Sequence, residues 1–170
     1  CEQPGMIGST VDGGYAELAV VPAVNCAVLP PGLSYQNAAA LPTVFLPCWS
    51  ILMRHGKLRP WETVLVLSAS SGFGTAGIQL AKNVVGSKVI TTTSSDAKAE
   101  KARILGADEV INYKKENIAD RIREITGGRG VDVIIDHVGA DFWQDASRSL
   151  AVGGRHGICG ATTGLKAELQ

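Results

Sequence analysis

From Thr63 onward, short apolar runs alternate with stretches in which apolar positions recur every three or four residues. Thr63 to Leu67 is too short for a helix, is rich in β-branched residues and ends at Ser and Ala, which predicts a buried strand. Thr75 to Val85 places Ile78, Leu80, Ala81, Val84 and Val85 at helical spacing and stops at Gly86. The alternation continues with strands predicted over 88–92, 109–112, 131–135 and 155–159, and helices over 96–105, 116–125 and 141–150. Ser94 or Ser95 is the expected cap of the 96–105 helix. Five strands with four intervening helices predict an α/β fold built on a doubly wound parallel sheet. Right-handed crossovers give it the order 3-2-1-4-5, with a crevice at the switch between strands one and four. The loops expected to line that crevice are 68–74, 92–98, 136–139 and 159–161.

The first 60 residues follow another pattern. Tyr15 to Val21 and Cys26 to Leu29 read as strands separated by Pro22, and Pro30-Pro31-Gly32 breaks the chain. This predicts a mostly β unit. Short helices are expected over 36–41, halted by Pro42, and over 44–55, with Pro47 near the first turn. The domain division that follows is a β-rich segment over 1–43 and the sheet domain over 44–170.

Charge and composition narrow the function. The 16 basic and 16 acidic residues of this 170-residue chain cancel, which removes the case for nucleic acid or a membrane surface as partner. Cys1, Cys26, Cys48 and Cys159 contain no C-x-x-C pair, so a disulfide scaffold is not expected and a reducing, cytoplasmic compartment is. There is neither an 18-residue apolar run nor a signal-peptide pattern. The chain starts at Cys rather than Met, and we expect a piece of a longer protein.

The chemistry concentrates where the first strand hands over to its helix, at Ser68-Ala-Ser-Ser-Gly-Phe-Gly74. Small residues there let backbone N–H groups approach a pyrophosphate, and a helix N-terminus adds partial positive charge. The G-x-G-x-x-G form is degenerate, because Ala69 and Ser71 stand at the first two glycine positions and Gly74 at the third. A tight turn that holds no ligand, and a methyltransferase-like sheet binding a nucleoside without pyrophosphate, are the alternatives.

Six segments occur in order: GGYAE (13–17), AAALP (38–42), SASSGFG with QLAK (68–82), LGADEVINY (105–113), GVDVIIDHVG (130–139) and LAVGGR (150–155). Together they resemble the medium-chain dehydrogenase/reductase family, and within it the zinc-type alcohol dehydrogenases and their quinone oxidoreductase relatives. The resemblance implies a Rossmann domain for NAD(P)(H) preceded by a partial GroES-like catalytic segment. It also implies hydride transfer between the cofactor and an alcohol, aldehyde or ketone. A zinc-independent NADPH quinone or enone reductase is the rival reading, and a non-catalytic dinucleotide-binding module a third for the chain alone.

The rival gains weight from two departures. The family's third catalytic zinc ligand aligns with Thr43, and Pro47-Cys48-Trp49 replaces the usual Thr-containing stretch. The resemblance places Cys1 at the fourth cysteine of a structural zinc lobe, a remnant rather than a working site, so zinc is expected only in a longer parent. Cofactor contacts are expected at Ser71, Gly72, Phe73 and Gly74 of the turn, at Thr93, Ser94, Lys98 and Tyr113 around the end of strand two, and at Val138, Gly139 and Gly160. Catalytic residues are left unassigned. The substrate is expected to be a small molecule, and a homo-oligomer is compatible with the family.

NADP(H) is preferred over NAD(H), because Thr93 and its hydroxyl neighbours stand where an NAD enzyme places a carboxylate about 20 residues beyond the glycine turn. Asp96 is the counter-indication, although an acid in a helix's first turn complements the dipole without a ligand. His137 is read as a packing or capping residue, His156 as a satisfied or partly exposed imidazole in a strand, and Cys48 as a small apolar helix residue. Trp49, Trp61 and Trp143 are read as anchors between layers.

Overall fold

The five strands and their helices form as the periodicity predicts, in a computed structural model that describes residues 5–164 and 166. The sheet comprises β1 (Thr63–Val66), β2 (Lys88–Thr93), β3 (Glu109–Asn112), β4 (Val131–Asp136) and β5 (Leu150–Ile158). Its order is β3-β2-β1-β4-β5, and every pairing is parallel. Central β1 sets Val64 beside both Val89 and Val133.

The helices, in chain order, are α1 (Tyr35–Ala39), α2 (Pro42–Trp49), α3 (Gly72–Gln79), α4 (Asp96–Ile104), α5 (Ile118–Ile125) and α6 (Trp143–Ser149). Both α2 and α3 continue as π-helical turns, over Ser50–His55 and Leu80–Val85. Strand alternation sends Val64, Val66, Val133 and Ile135 to one face, against Ala76, Ile78 and Ala81 of the α3 segment and Cys48 and Leu52 of the α2 segment. Leu65, Leu67, Ile90, Ile111 and Ile134 face the other way, against Ile118, Ile122 and Ala146 of α5 and α6. Gly77 permits the close approach of α3, since a Cβ there would lie 2.4 Å from Ile135 Cδ1.

The chain divides into two units, Cys1–Ala38 and Ala39–Gln170. In the first, the strands expected over 15–21 and 26–29 do not form. Its described residues show one 3-10 turn, Ala23–Asn25, an isolated bridge between Ile7 and Val11, and most of α1. Tyr15, Leu18, Val20 and Val28 are each at least 90% exposed. Alternation makes a segment fit for a sheet, but a strand exists only with a hydrogen-bonding neighbour, and these segments have none among the described residues.

Other boundaries move for local reasons. The 75–85 helix begins three residues early, at Gly72, because Ser71 caps it. The 116–125 helix begins at Ile118, capped by the Asn117 side chain. Pro47 lies inside α2 rather than in a first turn, because the helix starts at Pro42, a favoured first-turn proline. Strand β5 starts at Leu150, with an irregularity between the Val131–Leu150 and Val133–Arg155 pairings that absorbs Gly153 and Gly154. Trp61 is 81% exposed and Trp49 45% exposed, so neither anchors two layers. No helix among the described residues is long and apolar enough to cross a membrane.

Candidate functional site

The C-terminal ends of β1, β2 and β4 meet beside the N-terminus of α3. After β1 the Leu67 N–H donates to the Ile135 carbonyl at 3.2 Å, and the chain turns at Ser68 with φ +62°. Thr92 holds the turn twice: its hydroxyl accepts from the Ser68 N–H at 2.9 Å and its carbonyl from the Ala69 N–H at 2.8 Å. The Ser71 hydroxyl donates to the Ser68 carbonyl and accepts from the Gly74 N–H, both at 2.8 Å. The amides of Gly72 and Phe73 are first-turn donors without an intrahelical acceptor, and they point out of the helix end. A Cβ on Gly74 would stand 2.0 Å from the Ser68 carbonyl oxygen, so the turn admits only glycine there.

At the end of β2, Thr93 is 2% exposed and its hydroxyl oxygen has no hydrogen-bond partner among the described residues. A buried, unpaired hydroxyl is costly unless something reaches it. The Thr93 carbonyl accepts from the Tyr113 N–H at 3.0 Å, which ties the ends of β2 and β3 together. The Tyr113 ring meets Phe142 edge-on with centroids 5.0 Å apart. The Lys98 ammonium folds back to the Ser94 hydroxyl at 3.3 Å. Asp96 points its carboxylate to the Asn112 amide at 2.9 Å and to the Lys115 ammonium at 2.6 Å.

At the end of β4, Asp136 is fully buried. One of its oxygens accepts from the N–H groups of Val138 (2.7 Å) and Gly139 (3.1 Å), and the other lies 3.2 Å from His156 Nε2. His156 stacks on Trp143 at 5.2 Å, so both residues take up the structural roles expected of them. His137 rests on the Phe73 ring, centroids 5.0 Å apart, and its Nδ1 is buried without a partner among the described residues. Burial pushes the His137 imidazole below its usual pKa of 6.5, partly offset by the Asp136 charge, and it is neutral at pH 7. Gly160 brings the loop after β5 against this turn, since a Cβ there would lie 2.8 Å from the His137 carbonyl oxygen.

The expected residues therefore gather at one end of the sheet. Phe73 meets His137, Thr92 holds Ser68, Thr93 bonds Tyr113, and Gly160 packs on His137. Cys1 falls outside the described residues. Cys48 is a buried helix residue as expected, its thiol donating to the Phe73 carbonyl at 3.2 Å and its pKa pushed up to about 12 by burial. Three participants escaped the sequence reading as site residues: Asn112, Lys115 and the unpaired Nδ1 of His137. His137 had a signal in its place within the 136–139 loop and Asn112 in its place just before Tyr113 at the strand end, whereas Lys115 had none.

Two absent groups can be tested against these residues. The first-turn amides of α3 and the orphaned Thr93 hydroxyl fit a dinucleotide lying across the strand ends. Zinc does not fit, since among the described residues no three His, Cys, Asp or Glu side chains form a ligand group.

Residues 72–169 match the model of a family described as zinc-binding dehydrogenase. A quinone oxidoreductase of Salmonella typhimurium is 39% identical over 132 residues, which cover 78% of this chain and 40% of the relative. An NAD-dependent alcohol dehydrogenase structure superposes with a TM-score of 0.89 at 40% identity, over 96% of this chain and 48% of that one. A mycobacterial protein solved with NADPH gives a TM-score of 0.77 at 35% identity, over 85% and 44%. The chain spans less than half the length of each of these proteins.

Proposed function

The chain belongs to the zinc-binding dehydrogenase family, and from that premise we propose that it is the NADP(H)-binding part of a zinc-independent quinone or enone reductase. The observation that carries the reading is the Ser71-capped start of α3 opening at the switch between β1 and β4. Bound there, NADPH would supply the hydride that, with one proton from solvent, would reduce a quinone to a hydroquinone.

The Gly72 and Phe73 amides take the pyrophosphate, with Gly74 allowing the close turn. Thr93, Ser94, Lys98 and Tyr113 receive the adenosine ribose and its 2′-phosphate, with the Lys98 ammonium as the charge partner. Val138, Gly139 and Gly160 form the wall toward the nicotinamide. The neutral His137 beside Phe73 excludes water from that wall without adding charge.

Quinone reduction is favoured over alcohol oxidation by Thr43 at the expected ligand position and by the quinone oxidoreductase relative. The assignment of 1–43 to a GroES-like catalytic segment and of 44–170 to the cofactor domain belongs to the same proposal, as does a cytoplasmic location. Titration of NADPH and NADH by fluorescence at one ionic strength tests the cofactor reading, with NADPH expected to bind tighter. Equal or tighter NADH binding overturns the preference. Quinone-dependent NADPH oxidation by this chain tests whether the segment turns over, and its absence leaves the non-catalytic dinucleotide-binding module.

A further inference from the structure

A carboxylate in the first turn of α4 is out of place beside a phosphate site. Asp96 lies between Ser94 and Lys98, where a free acid would accept hydrogen bonds from the ribose hydroxyls of NAD(H) and repel a 2′-phosphate. It is not free. One oxygen accepts from the Asn112 amide at 2.9 Å and the other from the Lys115 ammonium at 2.6 Å. Asn112 ends β3, where it pairs with Thr93, and Lys115 lies in the turn just beyond it.

The Asn112 side chain is itself oriented, since its carbonyl oxygen accepts from the Lys114 N–H at 3.2 Å and leaves the amide hydrogens for Asp96. Hydrogen bonds from Lys115 and then Asn112 hold the Asp96 carboxyl below its ordinary range, so it stays ionised at neutral pH and keeps a negative charge at the start of α4. Lys115 answers it, and the Lys98 ammonium contacts Ser94 instead.

We propose that Lys115 is the specificity-determining residue for the dinucleotide at this end of the sheet, because it engages the Asp96 carboxylate and cancels its charge beside Thr93, Ser94 and Lys98. Without Lys115, Asp96 competes for Lys98 and opposes a phosphate, while offering an acceptor to an unphosphorylated ribose. Lys115 is a positioning residue that acts through Asp96 and needs no contact with the cofactor. The inference rests on the reading that the adenosine ribose lies at Thr93 to Lys98.

The test is the ratio of NADPH to NADH affinity, measured by fluorescence titration on the whole chain and on Lys115→Met, Lys115→Arg and the Asp96→Asn/Lys115→Met double variant. In Lys115→Met the ratio should fall about fivefold at low ionic strength, and by less in high salt because the pair is exposed. Lys115→Arg should keep the ratio, and adding Asp96→Asn should restore it. An unchanged ratio in Lys115→Met, an equal loss for both cofactors, or no recovery in the double variant overturns the inference. A parent chain that favours NADH, but whose ratio still moves further toward NADH in Lys115→Met, refutes the NADP(H) preference and upholds the role of Lys115. A chain that binds neither cofactor refutes both.

Discussion

Arg155 on β5 grips Glu62, which lies 93 residues earlier, with Nη1 2.8 Å from one carboxylate oxygen and Nη2 2.9 Å from the other. The same guanidinium donates through Nε to the Gly56 carbonyl at 2.9 Å and through Nη1 to the Asp132 carbonyl at 3.2 Å. It fastens the segment between α2 and β1 to the outer strand, and the Glu62 side chain is only 14% exposed. Arg155→Met would leave the half-buried Glu62 carboxylate with only the Arg59 N–H as donor and the Gly56 carbonyl unanswered, at a cost of about 2 kcal/mol. Urea unfolding should show the loss as a lower midpoint at unchanged slope. Lys cannot span both oxygens, so Arg155→Lys should recover only part of it.

Acid sensitivity follows from the same region. Arg155 holds the Glu62 carboxyl below its usual 4.5, and Arg129 holds Asp132 below 3.8. Both folded-state values lie under the unfolded ones, so this stabilisation is complete above about pH 5 and is lost as pH falls through the folded values. Unfolding free energy measured between pH 6 and pH 3 should decline, and the decline should be shallower in Arg155→Met. An identical slope would remove Glu62 from the explanation.

The α3 turn offers a graded pair of substitutions. Ser71→Ala removes the cap to the Gly74 N–H and should cost about 1 kcal/mol, with weaker NADPH binding. Gly74→Ala sets a methyl against a backbone carbonyl that cannot rotate away, and should cost more than Ser71→Ala in stability and abolish binding. Thermal melts with and without cofactor separate the two effects, and a Gly74→Ala chain as stable as the parent would contradict the geometry.

Cysteine reactivity distinguishes core from surface. Cys48 is fully buried and its thiol is pushed up to about 12, so the nucleophilic thiolate is scarce at pH 8, whereas Cys26 is exposed. Iodoacetamide followed by peptide mass mapping should modify Cys26 in the native chain and Cys48 only after unfolding. Early labelling of Cys48 would mean that the α2–α3 packing opens readily.

Legibility in the sequence followed the range of the interactions. Strand order and the loops of the site were readable because apolar periodicity and turn residues are local, as at Thr63 to Gly74. The failures were pairings between distant residues. Nothing at Lys115 announces Asp96, and nothing at Arg155 announces Glu62, because each pair meets only after the sheet has stacked its strands. The strands expected over Tyr15 to Val21 and Cys26 to Leu29 failed for the converse reason, since a local pattern cannot supply a neighbour. Trp61 was misplaced because size and apolarity say nothing about a turn that leaves its side chain in solvent.

Thr91 and Thr93 stand two residues apart on one face of β2, both at most 2% exposed, and differ in one respect. The Thr91 hydroxyl donates to the Val66 carbonyl at 2.7 Å, whereas the Thr93 hydroxyl has no partner among the described residues. Replacing each by Val removes a hydroxyl and keeps the branched shape. Thr91→Val gives up a buried hydrogen bond and should cost about 1 kcal/mol, while Thr93→Val relieves an unpaired polar group and should be neutral or stabilising by about 1 kcal/mol. Cofactor binding should run the other way. If the Thr93 hydroxyl is left open for the dinucleotide, Thr93→Val should bind NADPH about fivefold more weakly while melting no lower than the parent. A stability that rises as affinity falls is the signature of a group kept for a ligand rather than for the fold. Should Thr93→Val melt lower and bind NADPH unchanged, the hydroxyl serves the sheet, and the ribose lies elsewhere.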